Sequence, residues 1–119
     1  MDTTEPTLAA MSAAAEQARA ANHHAYDAPG DPPALYARTG ALYDLLAKTE
    51  QLARFLSEAA AKVSAIPPEG LYSDDGSDHP RQRAATAAAH LAAAAETIRR
   101  ANVAVNEAWS ELAHLGVKT

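Results

Sequence analysis

An all-α fold is predicted for this chain: a long antiparallel helical hairpin with a shorter N-terminal helix packed across it. Three observations predict it. Two alanine-dominated segments, Pro33–Ile66 and Pro80–Leu115, carry apolar residues at helical spacing. Breaks rich in Pro, Gly and Asp bound both segments. No stretch shows the alternation of a strand. At 119 residues the chain is read as one domain, spanning 1–119.

The first helix is expected over about 5–26. Thr4 suits the N-cap, and Glu5 and Pro6 fall in the first turn, where an acid and a proline are both favoured. The run Asp27-Ala28-Pro29-Gly30-Asp31-Pro32-Pro33 stops it. Asp31 then caps the second helix, expected over about 32–65 with Pro32 at its first position, and Ile66-Pro67-Pro68 ends it. Taking Leu42 as heptad position a puts Leu45 and Leu52 at d, and Leu56 and Val63 at a, a seam widened by Leu46. Asp44/Lys48, Glu50/Arg54 and Glu58/Lys62 are acid-then-base pairs four residues apart on the opposite face. Gly40 interrupts this pattern and marks a kink or a late start near Thr39.

The loop Pro67–Pro80 contains Leu71-Tyr72, which can fold back onto the hairpin end, and Ser77 or Asp78 can cap the third helix. That helix is expected over about 79–115. Ala84, Leu91, Ile98, Val105 and Leu112 repeat every seven residues at a, with Ala87, Ala94, Ala101, Ala108 and Leu115 at d and Gly116 as the C′ stop. An alanine seam lets two backbones approach near the lower end of the ~8–10 Å range.

Composition limits what such a chain can be. Alanine makes up roughly a quarter of it, while Leu, Ile, Val and Phe together come to only about 15%. Its hydrophobic fraction of 48% is therefore largely methyl groups, each burying little area. The absence of Cys excludes disulfides, thiolate metal sites and Cys nucleophiles. The acidic N-terminus, Met1 to Pro6, is unlike a signal peptide, and no run approaches a membrane span, so a cytoplasmic protein is expected. Ala/Arg-rich, Lys-poor usage points to a high-GC bacterial genome. With a net charge of −5 and a pI near 5.4, the chain lacks the basic footprint of a nucleic-acid binder, although Arg81, Arg83, Arg99 and Arg100 cluster on the third helix. An accessory place beside a DNA-binding partner is the form such a role would take.

Few residues carry chemistry. Glu111-Leu112-Ala113-His114 is an E-x-x-H sequence, with Glu107 one turn earlier. It resembles the motif of ferritin-like di-iron proteins, and that resemblance implies a metal pair completed by dimerisation, with Glu50 or Glu58 facing it. The plainer reading is a solvated helix end, His114 complementing the helix dipole. His23 and His24 point about 100° apart on a helix and do not chelate one ion easily. His79 reads as cap-loop polarity and His90 as a helix residue among alanines. No nucleophile–base spacing and no phosphate loop occurs, so neither an enzyme nor a cofactor is expected. The hairpin's size also resembles small secreted effectors of the WXG100 and PE kind, in shape alone. Gly70-Leu71-Tyr72 stands where a W-x-G would, and Tyr26, Tyr36, Tyr43 and Tyr72 lack an acid four residues on.

Two helices of about 33–36 residues would each be about 50 Å long. A rod so thin cannot hide all of its apolar surface. Leu46, Phe55, Val103 and Trp109 fall off the predicted seam and are read as an interface, Trp109 as either its anchor or a core-edge residue. Function is expected through protein–protein association, by a homodimer or with a different protein chain.

Overall fold

The computed structural model describes residues 5–27, 30–73, 79–116 and 118. Helices form at α1 (Pro6–Asp27), α2 (Pro32–Ser64) and α3 (Pro80–Leu112), with a single 3-10 turn at Pro68–Gly70. The described residues contain no strand, and α2 packs on α3 as an antiparallel hairpin. The chain divides into two compact units, Met1–Asp31 and Pro32–Thr119.

In the first unit, Glu5 caps its own helix. Its carboxylate accepts the backbone N–H groups of Thr7 at 2.7 Å and Leu8 at 2.9 Å, two of the donors a helix start leaves unpaired. Those bonds favour the anion and hold its pKa below the usual carboxylate value. Thr4, the expected cap, lies outside the described residues. Further along, Arg19 pairs with Glu16 at 2.9 Å, and His24 occupies the last turn, where the dipole favours a cation.

In the second unit, α2 begins at Pro32 and runs unbroken through Gly40, so the late start considered from the sequence does not occur. The glycine has a different reason. A Cβ there would lie 2.8 Å from two ring carbons of Trp109, closer than carbon atoms approach. Gly40 is the notch that admits the indole. Tyr36 and Tyr43, one turn to either side, flank the ring at centroid distances of 5.6 and 5.5 Å, tilted by 32° and 30°. This aromatic cluster closes the end of the hairpin opposite the loop.

Elsewhere the most buried positions of the seam carry small and polar side chains. Ala88, Ala95 and Asn102 are its buried residues on α3, and among the described residues no large side chain is fully buried. Ser57 Oγ donates to the Ala88 carbonyl at 2.7 Å, and Asn102 Nδ2 donates to the Tyr43 carbonyl at 3.0 Å. At the loop end, Arg81 Nε donates to the Ser64 carbonyl at 3.1 Å. Short side chains reach a neighbouring helix backbone only if the two axes are close, which the alanines permit. The three links also fix the register, since every seven residues forward along α2 match seven back along α3 (Tyr43 with Asn102, Ser57 with Ala88, Ser64 with Arg81).

This seam differs from the predicted one. On α3 the expected large row, Ala84, Leu91, Ile98, Val105 and Leu112, is half-buried at the contact, but its companions are Ala88, Ala95, Asn102 and Trp109. Ala87, Ala94, Ala101 and Ala108 are exposed. On α2 the companions are Tyr43, Leu46, Glu50, Ala53, Ser57 and Ala60 rather than the leucine heptad. The contact is rotated toward the smaller residues, because hydrogen bonds to backbone carbonyls and the Gly40 notch need close axes that leucines would wedge apart.

The ends also differ in detail. α3 stops at Leu112, three residues before the expected end, and its last turn tightens into bonds from His114 N–H to the Glu111 carbonyl (3.1 Å) and from Leu115 N–H to the Leu112 carbonyl (3.2 Å). Gly116 has no left-handed backbone and is not the stop. His79 precedes α3 without a side-chain cap bond, and the expected caps Ser77 and Asp78 lie outside the described residues. In the loop, Leu71 is half-buried while Tyr72 stays exposed. With Val63, Ser73, Pro80 and Arg83 they line a surface depression of about 320 Å³.

Candidate interaction face

Rotating the contact toward small residues leaves most of the α2 leucines on a flank. Leu42, Leu45, Leu56 and Val63 are 44%, 47%, 36% and 39% exposed, and half-buried Leu52 lies among them. They keep the seven-residue spacing of a helix-packing stripe, with no helix of the hairpin on it. On α3 the exposed row Ala87, Ala94, Ala101 and Ala108 holds the matching position beside the seam.

The opposite flank fixes which rows go together. There Arg54 pairs with Glu50 at 2.9 Å and reaches across to Glu96 of α3 at 3.7 Å. Glu96 also accepts from Arg99 at 2.6 Å and faces Arg100 at 3.7 Å. The Arg99 hydrogen bonds, followed by the nearby guanidinium charges, hold the Glu96 pKa below its ordinary value and raise that of Arg99. Arg54 and the leucine row lie on opposite sides of the α2 seam, as Arg99 and the alanine row do on α3. The Arg54–Glu96 bridge therefore places the leucine and alanine rows on one common face. Between Leu42 and Val63 on α2, and between Ala87 and Ala108 on α3, that face carries no charged residue. Arg38, Arg83 and Glu111 stand at its ends.

The four residues predicted as an interface are not brought together. Leu46 is half-buried in the seam, and Trp109 is half-buried in the aromatic cluster over Gly40. Phe55, 55% exposed, lies on the back of α2, and Val103, 49% exposed, lies on the Glu96 side of α3. The leucine–alanine face was hidden in the sequence as a seam. The signal that separates the two is the competing heptad of Tyr36, Tyr43, Glu50, Ser57 and Ser64, set against Ala88, Ala95, Asn102 and Trp109.

Glu107, Glu111 and His114 are all exposed, and His114 lies past the end of α3. Among the described residues no group of three His, Asp or Glu side chains is placed to hold a metal ion. His23 and His24 stand edge to face at 5.9 Å on α1. Among those residues, too, no helix is long and apolar enough to cross a membrane.

Comparison with family models, with curated proteins and with solved structures found no match. The functional reading rests on this face.

Proposed function

We propose that the chain is a non-enzymatic assembly module that docks a helical surface through the leucine–alanine face. One observation carries the reading: a stripe with packing periodicity, Leu42, Leu45, Leu56 and Val63 with half-buried Leu52 among them, flanks a hairpin closed by other residues. A regular apolar face free of charge across its centre matches the desolvated core of a protein interface, with charges at its rim. The hydrogen-bonded seam holds it rigid, so little ordering entropy opposes docking.

The test separates docking from folding. Leu45→Ser with Leu52→Ser is expected to leave helicity intact, and to shift the melting temperature of a dilute sample by only a few degrees. Melting of the hairpin in that double variant would mean the face belongs to the chain's own core, and the reading would fail.

A further inference from the structure

We infer that the occupant of this face is a second copy of the chain, related by a two-fold axis parallel to the hairpin, so that α2 of each copy lies on α3 of the other. The inference rests on the docking role proposed for the face and goes beyond it in naming the partner and its orientation.

Self-complementarity of the two rows is the first argument. The register links set heights along the hairpin: Tyr43 is level with Asn102 and Ser57 with Ala88. By the same register Leu45 is level with Arg100, one residue from Ala101 of the alanine row, and Leu52 with Ala93, one residue from Ala94. A two-fold axis along the hairpin preserves height while exchanging left for right. It therefore sets Leu45 of one copy within one residue, about 1.5 Å, of Ala101 of the other, and Leu52 likewise beside Ala94, a large residue against a small one at both layers. The exchanged helices also run antiparallel, as they do within each hairpin, which gives an ordinary four-helix bundle. The other face-to-face choice, an axis across the hairpin, stacks leucines on leucines and alanines on alanines. That leaves one half overfilled and the other empty.

Area and charge agree. The uncharged part from Leu42 to Val63 is about 30 Å long at 1.5 Å per residue and about 20 Å wide for two helices. Two such faces bury about 1,200 Å², the lower bound for a stable specific interface. No charge is buried within it. At the rim, Arg38 of one copy comes within about a turn of Glu111 of the other, opposite in sign.

The chain has no cysteine, which makes the test clean. Light scattering after size exclusion, over a tenfold concentration range, should give twice the chain mass for the unaltered chain and the chain mass for Leu45→Ser with Leu52→Ser. Mixing a Leu45→Cys chain with an Ala101→Cys chain under oxidation should yield the mixed disulfide dimer. Thr49→Cys, near the midpoint of α2, should not link to itself. A monomer at every concentration overturns self-pairing; if the serine variant also keeps its hairpin, the docking role survives that result with a different partner. A dimer that links through Thr49 but not between positions 45 and 101 overturns the proposed axis.

Discussion

The two sides of the α2 helix are built from opposite alphabets. Its seam side meets α3 through Gly40, Tyr43, Leu46, Glu50, Ala53, Ser57 and Ala60, mostly small or polar, while its flank carries the other leucines. Ordinarily the larger residues would be expected inside. Here closeness outweighs area: Ser57 and Asn102 reach the neighbouring backbone at 2.7 and 3.0 Å, and Trp109 fills a notch that only glycine leaves open. What holds a small hairpin together need not be what makes it hydrophobic.

The largest perturbation of that contrast should come from the seam's largest residue. Trp109→Ala empties the Tyr36–Gly40–Tyr43 cluster. It should cost about 3 kcal/mol, near the lower end for such truncations because the ring is only half-buried, measured by urea unfolding. Next comes a matched pair one residue apart. Ala95→Leu forces a larger side chain between the two helices and should destabilise by about 1–3 kcal/mol. Ala94→Leu, on the face, should change the stability of the dilute chain by less than about 0.5 kcal/mol. Equal effects of the two would show that seam and face are not distinct.

Periodicity alone gave the helices and their breaks, because Pro32, Pro80 and the Gly/Asp runs act through local backbone geometry. It did not give the contact. A heptad tells which residues share a face and not what that face meets, so the strongest apolar stripe reads as the seam. Trp109 reads as a rim residue because the predicted α3 seam lies one position off the observed one. Its partner Gly40 read only as an interruption, since a notch is recognised by what enters it. The E-x-x-H of Glu111 and His114 illustrates the converse: the spacing was legible, but α3 ends between its two members.

Smaller effects separate the polar links from the ionic ones. Asn102→Ala should lose about 1 kcal/mol or less, because the bond to the Tyr43 carbonyl is offset by a buried Oδ1 that accepts none. The least effect belongs to the ionic flank. Glu96 has a depressed pKa in the folded chain, so its contribution is present above the ordinary carboxylate pKa and is lost as the pH falls through the lowered value. A melting temperature followed downward from pH 5 should decline more gently for Glu96→Gln than for the unaltered protein. Added salt should likewise narrow the difference between the two at neutral pH.

The methyl-and-hydroxyl seam has a calorimetric consequence. Heat capacity of unfolding grows with the apolar area exposed, and a contact whose buried positions are two alanines and a hydrogen-bonded asparagine, with its larger residues only half-buried, exposes little. The hairpin by itself should therefore have a shallow stability curve with a broad maximum and no sharp melting peak. The leucine row inverts this. Covering it removes apolar surface from water, so association should carry a negative heat-capacity change out of proportion to the hairpin's own. The temperature dependence of this protein would then be written mostly in what it binds.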